Sequence, residues 1–157
     1  MEKSVDKEKI LEFLRNQSTA VVSTVSSDNT PYGAAVFFTV DSDFNFYFFT
    51  KDDSAKFNNM GGYNQVAIVV YNEAEPQIIQ AKGEAMLFDA QTPKASEVSA
   101  ELFRKAVASS PWYQPPITKM TGGEVSTVKI KTTWLRYADF RKTTSHRGEA
   151  LFYQIIP

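Results

Sequence analysis

A chain of 157 residues, 43% hydrophobic and 13% aromatic, has the size and composition of one packed domain. Its 17 basic and 18 acidic residues leave a net charge of -1, so no bulk field recruits nucleic acid or membrane. Zero cysteines exclude disulfides, thiolate metal sites and cysteine nucleophiles, and any redox work would need a cofactor.

The first nine residues are charged where a signal peptide needs an apolar core, and no run approaches transmembrane length; a cytoplasmic protein is expected. Residues 6–16 set Ile10, Leu11, Phe13 and Leu14 between charges, the spacing of an amphipathic helix with Asp6 as N-cap. Thr19–Val25 reads as a strand, residues 26–31 as a turn and Tyr32–Val40 as the hairpin partner. After the turn at Asp41-Ser42-Asp43 comes an aromatic strand, Phe44–Lys51. Ser54–Met60 is read as a single helical turn stopped by Gly61-Gly62, which would aim backbone N–H groups at an anion.

Strands follow at Gln65–Tyr71 and Gln77–Phe88. Thr92 then caps a helix to Ala108, with Pro93 at its first position and Ala95, Val98, Leu102 and Ala106 on one stripe. Pro111, Pro115 and Pro116 break it, leaving Trp112 and Tyr113 as packing anchors or a pocket wall. Glu124–Ile130 alternates as a strand and leads into Thr133–Phe140. A polar tail from Arg141 ends in residues 151–156, an edge strand or an arm over a partner subunit. The whole is a mainly β, α+β single domain.

Chemistry concentrates past the aromatic strand. Thr50 and Ser54 bring hydroxyls, Lys51 and Lys56 bring ammonium groups, and that set suits a phosphate. The same residue types build ordinary solvated turns, and Asp52 and Asp53 would repel an anion, so the loop alone leaves both readings open. No GxGxxG, P-loop, HExxH or nucleophile elbow occurs. Asp52 and Asp53, adjacent on one loop, cannot flank a substrate as opposed carboxylates, and no metal set is expected. His146 sits in a polar tail and reads as solvated.

The order of these pieces resembles the pyridoxamine 5'-phosphate oxidase-like family of FMN-binding split β-barrels, and within it the small general stress protein type. The resemblance rests on the N-terminal helix, Thr30-Pro31-Tyr32-Gly33, the aromatic strand ending in Thr50, the Ser54-x-Lys56 pair, and Ile79-Gln80-Ala81-Lys82-Gly83-Glu84-Ala85; it covers most of residues 6–140. It implies a split antiparallel β-barrel with flanking helices and a tail over 141–157. It implies FMN, with its ring along Ala34, Ala35 and Val36, its phosphate and ribityl chain on Thr50, Lys51, Ser54 and Lys56, and Gln80, Lys82 and Trp134 nearby. Where many relatives carry an arginine in the strand after the first turn, this chain has Ala34 and Ala35.

Residues 145–157 lack the Arg and Trp substrate segment of the oxidases proper, so pyridoxamine phosphate oxidation is not expected. The implied protein is a homodimeric FMN-dependent oxidoreductase exchanging electrons with reduced nicotinamide or a small organic molecule, without an identified catalytic side chain. The alternative is a non-catalytic flavin, deazaflavin or haem binding or storage protein of the same fold.

Overall fold

The computed structural model describes residues 6–89, 91–108, 124–141 and 152–157. Trp112, Tyr113 and His146 lie outside them. Helix α1, Lys7–Asn16, starts where the Asp6 carboxylate accepts a hydrogen bond from the Glu8 N–H. It buries Ile10, Leu11, Phe13 and Leu14.

Strand β1, Thr19–Val25, pairs antiparallel with β2, Pro31–Phe37, through a turn in which Ser26 and Asp28 hydrogen-bond each other. The expected single strand over 32–40 is divided. Phe38 is buried and its N–H reaches Ser18, while β3, Thr39–Val40, pairs instead with β4, Phe46–Lys51. One chain segment thereby leaves β1 and joins the opposite side of the barrel, which a straight strand could not do. The aromatic strand starts two residues later than its composition suggests, because Phe44 takes a positive φ of 63° and Asn45 belongs to the preceding turn.

That turn is organised by Asp41, whose carboxylate accepts from the Asp43 and Asn45 N–H groups, the Asn45 amide, the Tyr47 hydroxyl and Lys94. Burial alone would raise its pKa, but the bonds from Asn45, Lys94 and Tyr47 win and hold it at about 2.

Helix α2, Ala55–Gly62, follows β4 and then β5, Gln65–Asn72, and β6, Gln77–Leu87. α2 has two turns rather than one and contains both glycines expected to stop it. They cost helical entropy but meet no obstruction, and the helix ends where the Tyr63 N–H bonds the Asn59 carbonyl. Helix α3, Pro93–Ala108, covers β4, with Val98 and Leu102 packed on Tyr47, Phe49 and Phe88. Strand β7, Val125–Asp139, merges the two expected C-terminal pieces into one run of 15 residues, and β8, Tyr153–Ile156, pairs with it as an edge strand of its own chain.

The sheet order is β2-β1-β5-β6-β7-β4-β3, antiparallel throughout, with β8 against β7. The sheet curls into a split half-barrel around Val22, Phe38, Phe46, Phe48, Ile68, Val70, Ile79, Ile130 and Leu135. A β-bulge sits where Lys82 pairs with Trp134 but Gly83 pairs with Thr132, leaving Thr133 extra. No helix among the described residues is long and apolar enough to cross a membrane.

Lys105 ties α3 to α1. It is 2% exposed, its ammonium donates to the Gln17 carbonyl at 2.6 Å and the Leu14 carbonyl at 3.4 Å, and it lies 4.5 Å from the Phe38 ring centre. Burial pushes its pKa down to about 8, well below that of an exposed lysine. The unfolded chain therefore binds more protons between about pH 8 and the ordinary lysine value, and stability contributed by this group rises with pH across that window. The difference in urea midpoint between the wild type and Lys105→Met, followed from pH 7 to 10, is expected to shift in favour of the wild type as pH rises. A constant difference would contradict the burial argument.

Candidate functional site

Three groups of sequence-predicted residues fall in three places. At the end of β4 the strand alternation sends Phe46 and Phe48 into the main core and Tyr47 and Phe49 toward α3. Thr50 continues the first set and is 1% exposed; Lys51 continues the second and is 4% exposed. The two residues thus lie on opposite faces of the strand, although they are adjacent in sequence.

Thr50 is brought to Ser54, their hydroxyl oxygens 2.8 Å apart. Ser54 is also the N-cap of α2: its hydroxyl oxygen accepts from the Phe57 N–H at 3.3 Å, and its own N–H donates to the Lys51 carbonyl. Lys56 stands in the first turn of this helix, half-buried, with its pKa lowered by burial and without a hydrogen bond or ion pair among the described residues. The two aspartates do not pair with it. Asp52 accepts from the Ser126 hydroxyl at 2.6 Å and its N–H donates to the Glu124 carbonyl, so it is drawn toward β7, while Asp53 is exposed. A hydroxyl pair, the open first-turn N–H groups of a helix and an unpaired ammonium make a donor set of the chemistry a phosphate monoester needs.

The second group lies on the outer face of β6 and β7. Lys82 and Trp134 are register partners, and the Lys82 ammonium lies 5.1 Å from the indole centre. Gln80 accepts from Arg136 Nε at 2.7 Å, and the Arg136 guanidinium stacks on Trp134 and, at 4.1 Å, on Phe152. The sequence reading missed Arg136, although its place two residues after Trp134 on one strand puts both on the same face. The bulge at Gly83 gives Trp134 its register opposite Lys82, helped by the Thr133 hydroxyl on the Lys82 carbonyl at 3.3 Å.

The third group is β2. Ala35 is exposed on the outer face, Ala34 is half-buried and Val36 is buried. Among the described strands β2 ends the sheet order and pairs with β1, so the small side chains of Ala34 and Ala35 lie at the edge of the described sheet. Across the sheet Ala35, Val21, Val69 and Gln80 are successive register partners. Three inter-strand steps separate Ala35 from Gln80 by about 14 Å, so the fold of this chain leaves these two groups apart.

Asn59 was also missed. Its amide donates to the Thr24 hydroxyl at 3.0 Å, a contact between residues 35 apart that no local pattern signals. Among the described residues no three His, Cys, Asp or Glu side chains gather as a metal set.

The family description "Pyridoxamine 5'-phosphate oxidase" matches residues 6–138. No curated protein matches the chain. The General Stress Protein 26 from Bacillus anthracis str. Sterne is similar at 25% identity, over 83% of this chain and 92% of that one, with a TM-score of 0.61. The pyridoxamine 5'-phosphate oxidase-related, FMN binding protein from Nostoc punctiforme PCC 73102 is similar in fold at 12% identity, over 96% and 93% of the two chains, with a TM-score of 0.58. HutZ, the heme storage protein from Vibrio cholerae, shares the fold at 13% identity, over 80% and 88%, with a TM-score of 0.60. The match over residues 6–138 and the split barrel built from them agree: the chain belongs to the pyridoxamine 5'-phosphate oxidase family.

Proposed function

We propose that this protein is an FMN-dependent oxidoreductase, exchanging electrons between the flavin and reduced nicotinamide or a small organic molecule. The observation that carries the reading is the β4–α2 junction, where the Thr50–Ser54 hydroxyl pair lies at a helix N-terminus and Lys56, unpaired among the described residues, stands in the first turn. The residues present fit FMN. Thr50, Ser54 and Lys56 would hold its phosphate, and the edge of β2 at Ala34, Ala35 and Val36 would offer backbone groups to its ring. The flavin, when bound, supplies two-electron and one-electron redox chemistry. The chain's own part is to bind, to orient and to leave one ring face open, and no side chain here is assigned a proton transfer.

The expected result is a flavin absorption spectrum from the gently purified protein, or after titration with FMN, bleached anaerobically by reduced nicotinamide and restored by oxygen. Retained flavin that neither nicotinamide reduces would favour the storage reading. A protein that refuses added FMN would overturn the oxidoreductase reading and FMN storage alike, leaving a deazaflavin or haem as the ligand to test.

The homodimer belongs to the same proposal. The outer face of β2, β1 and β5 carries Ala35, Val21, Ala67 and Tyr71, all exposed, with Val21 and Tyr71 about half so. A second copy on this face would set its own residues against the gap between the β2 and β6 groups. Light scattering at micromolar concentration is expected to give twice the chain mass, and Ala67→Arg to halve it. A dimer unchanged by Ala67→Arg would place the interface elsewhere.

A further inference from the structure

We infer that Asn59 is a positioning residue that sets the Lys56 ammonium against the phosphate site, an assignment that rests on the FMN reading above. α2 is eight residues long and ends in two glycines, so it has little stability of its own and takes its direction from what it touches. Only Met60 of the helix is buried; the Ser54 cap is held to Thr50 of β4, and within the helix itself one side-chain hydrogen bond among the described residues, Asn59 to the 1%-exposed Thr24 hydroxyl of β1, ties it to the sheet.

Helical spacing puts Lys56, Asn59 and Met60 on one side, at i, i+3 and i+4. The side that anchors the helix therefore also carries the ammonium, which accounts for a lysine that is half-buried though nothing pairs with it. Thr24 pairs with Tyr32, so the Asn59 bond also fixes α2 relative to the start of β2, the strand expected to carry the ring. If that bond is removed, the short helix is held only by its Ser54 cap and by Met60 and can turn about the line between them, and Lys56 leaves the position in which it meets a phosphate.

The test measures FMN and riboflavin affinity by fluorescence quenching in the wild type, Asn59→Ala, Lys56→Ala and the double variant. Riboflavin lacks the phosphate and reports general damage. Asn59→Ala is expected to lower the preference for FMN over riboflavin about two- to tenfold, and to lower it no further once Lys56 is alanine. Thr24→Val, which removes the acceptor at constant shape, should copy Asn59→Ala, and Thr24→Ser should not; this pair carries the test should Asn59→Ala fail to fold. A ligand-free readout is the titration of the Lys56 amine by NMR, which should move back toward the ordinary lysine value in Asn59→Ala and Thr24→Val.

Equal losses for both flavins, full additivity with Lys56→Ala, or an unmoved Lys56 titration would each overturn the positioning role and leave the phosphate site standing. An FMN preference unchanged by Lys56→Ala itself would remove both.

Discussion

Gly83→Ala is expected to be the most damaging single substitution in the sheet. A Cβ at Gly83 would stand 2.7 Å from Ile130 Cγ2 and closer still to the Lys131 carbonyl oxygen. Neither can retreat: Lys131 is backbone in the middle of β7, and Ile130 is fully buried in the core. Relief requires the β6–β7 pairing to open at the bulge, where Lys82 and Trp134 take their register. A cost of about 3 kcal/mol is expected, near the upper end for overpacking, lowering Tm by roughly 6–12 °C. Gly33→Ala is the control, since its nearest neighbour is Val21 Cγ1 at an ordinary 3.8 Å. Urea or thermal melts of the two variants decide the matter, and similar small losses would mean that the bulge is soft.

Lys56→Ala is expected to weaken FMN by about 1.5–3 kcal/mol, ten- to over a hundredfold, while riboflavin affinity stays nearly unchanged. The large value follows from the setting. The ammonium is half-buried and unpaired, so a bound phosphate would be its first charged partner and would face less water than at an exposed site. Ser54→Ala should act more mildly on the phosphate but also cost helix α2 its N-cap, so part of its loss should extend to riboflavin. Isothermal titration with both ligands separates the cases. Equal loss of both flavins in Lys56→Ala would signify damage to folding, and undiminished FMN binding would locate the phosphate elsewhere.

Much of the fold was legible because it follows from local periodicity. The helix at 7–16 with its Asp6 cap, the strands at 19–25, 65–72 and 77–87, and the helix at 93–108 lie within a residue or two of where alternation and capping put them. The breaks were not legible. The division at Phe38 depends on β3 finding β4 across the barrel, and the start of β4 depends on Asp41 gathering Asn45, Tyr47 and Lys94. Both are long-range or turn-level contacts that a two-residue period does not encode.

The site divides along the same line. The sequence by itself determined which chemistry is present: hydroxyls and ammonium groups past an aromatic strand, small residues in a hairpin, no thiol, and a motif order sufficient to name the family. Tertiary structure alone decided the arrangement. It joined Thr50 to Ser54 and put Lys51 on the other face, drew Asp52 away to Ser126, stacked Arg136 on Trp134, and anchored α2 through Asn59. The physical reason is range. Residue identity and period fix what a side chain can do and which face of its own element it takes, but pairing across strands and the closing of a barrel determine which faces meet.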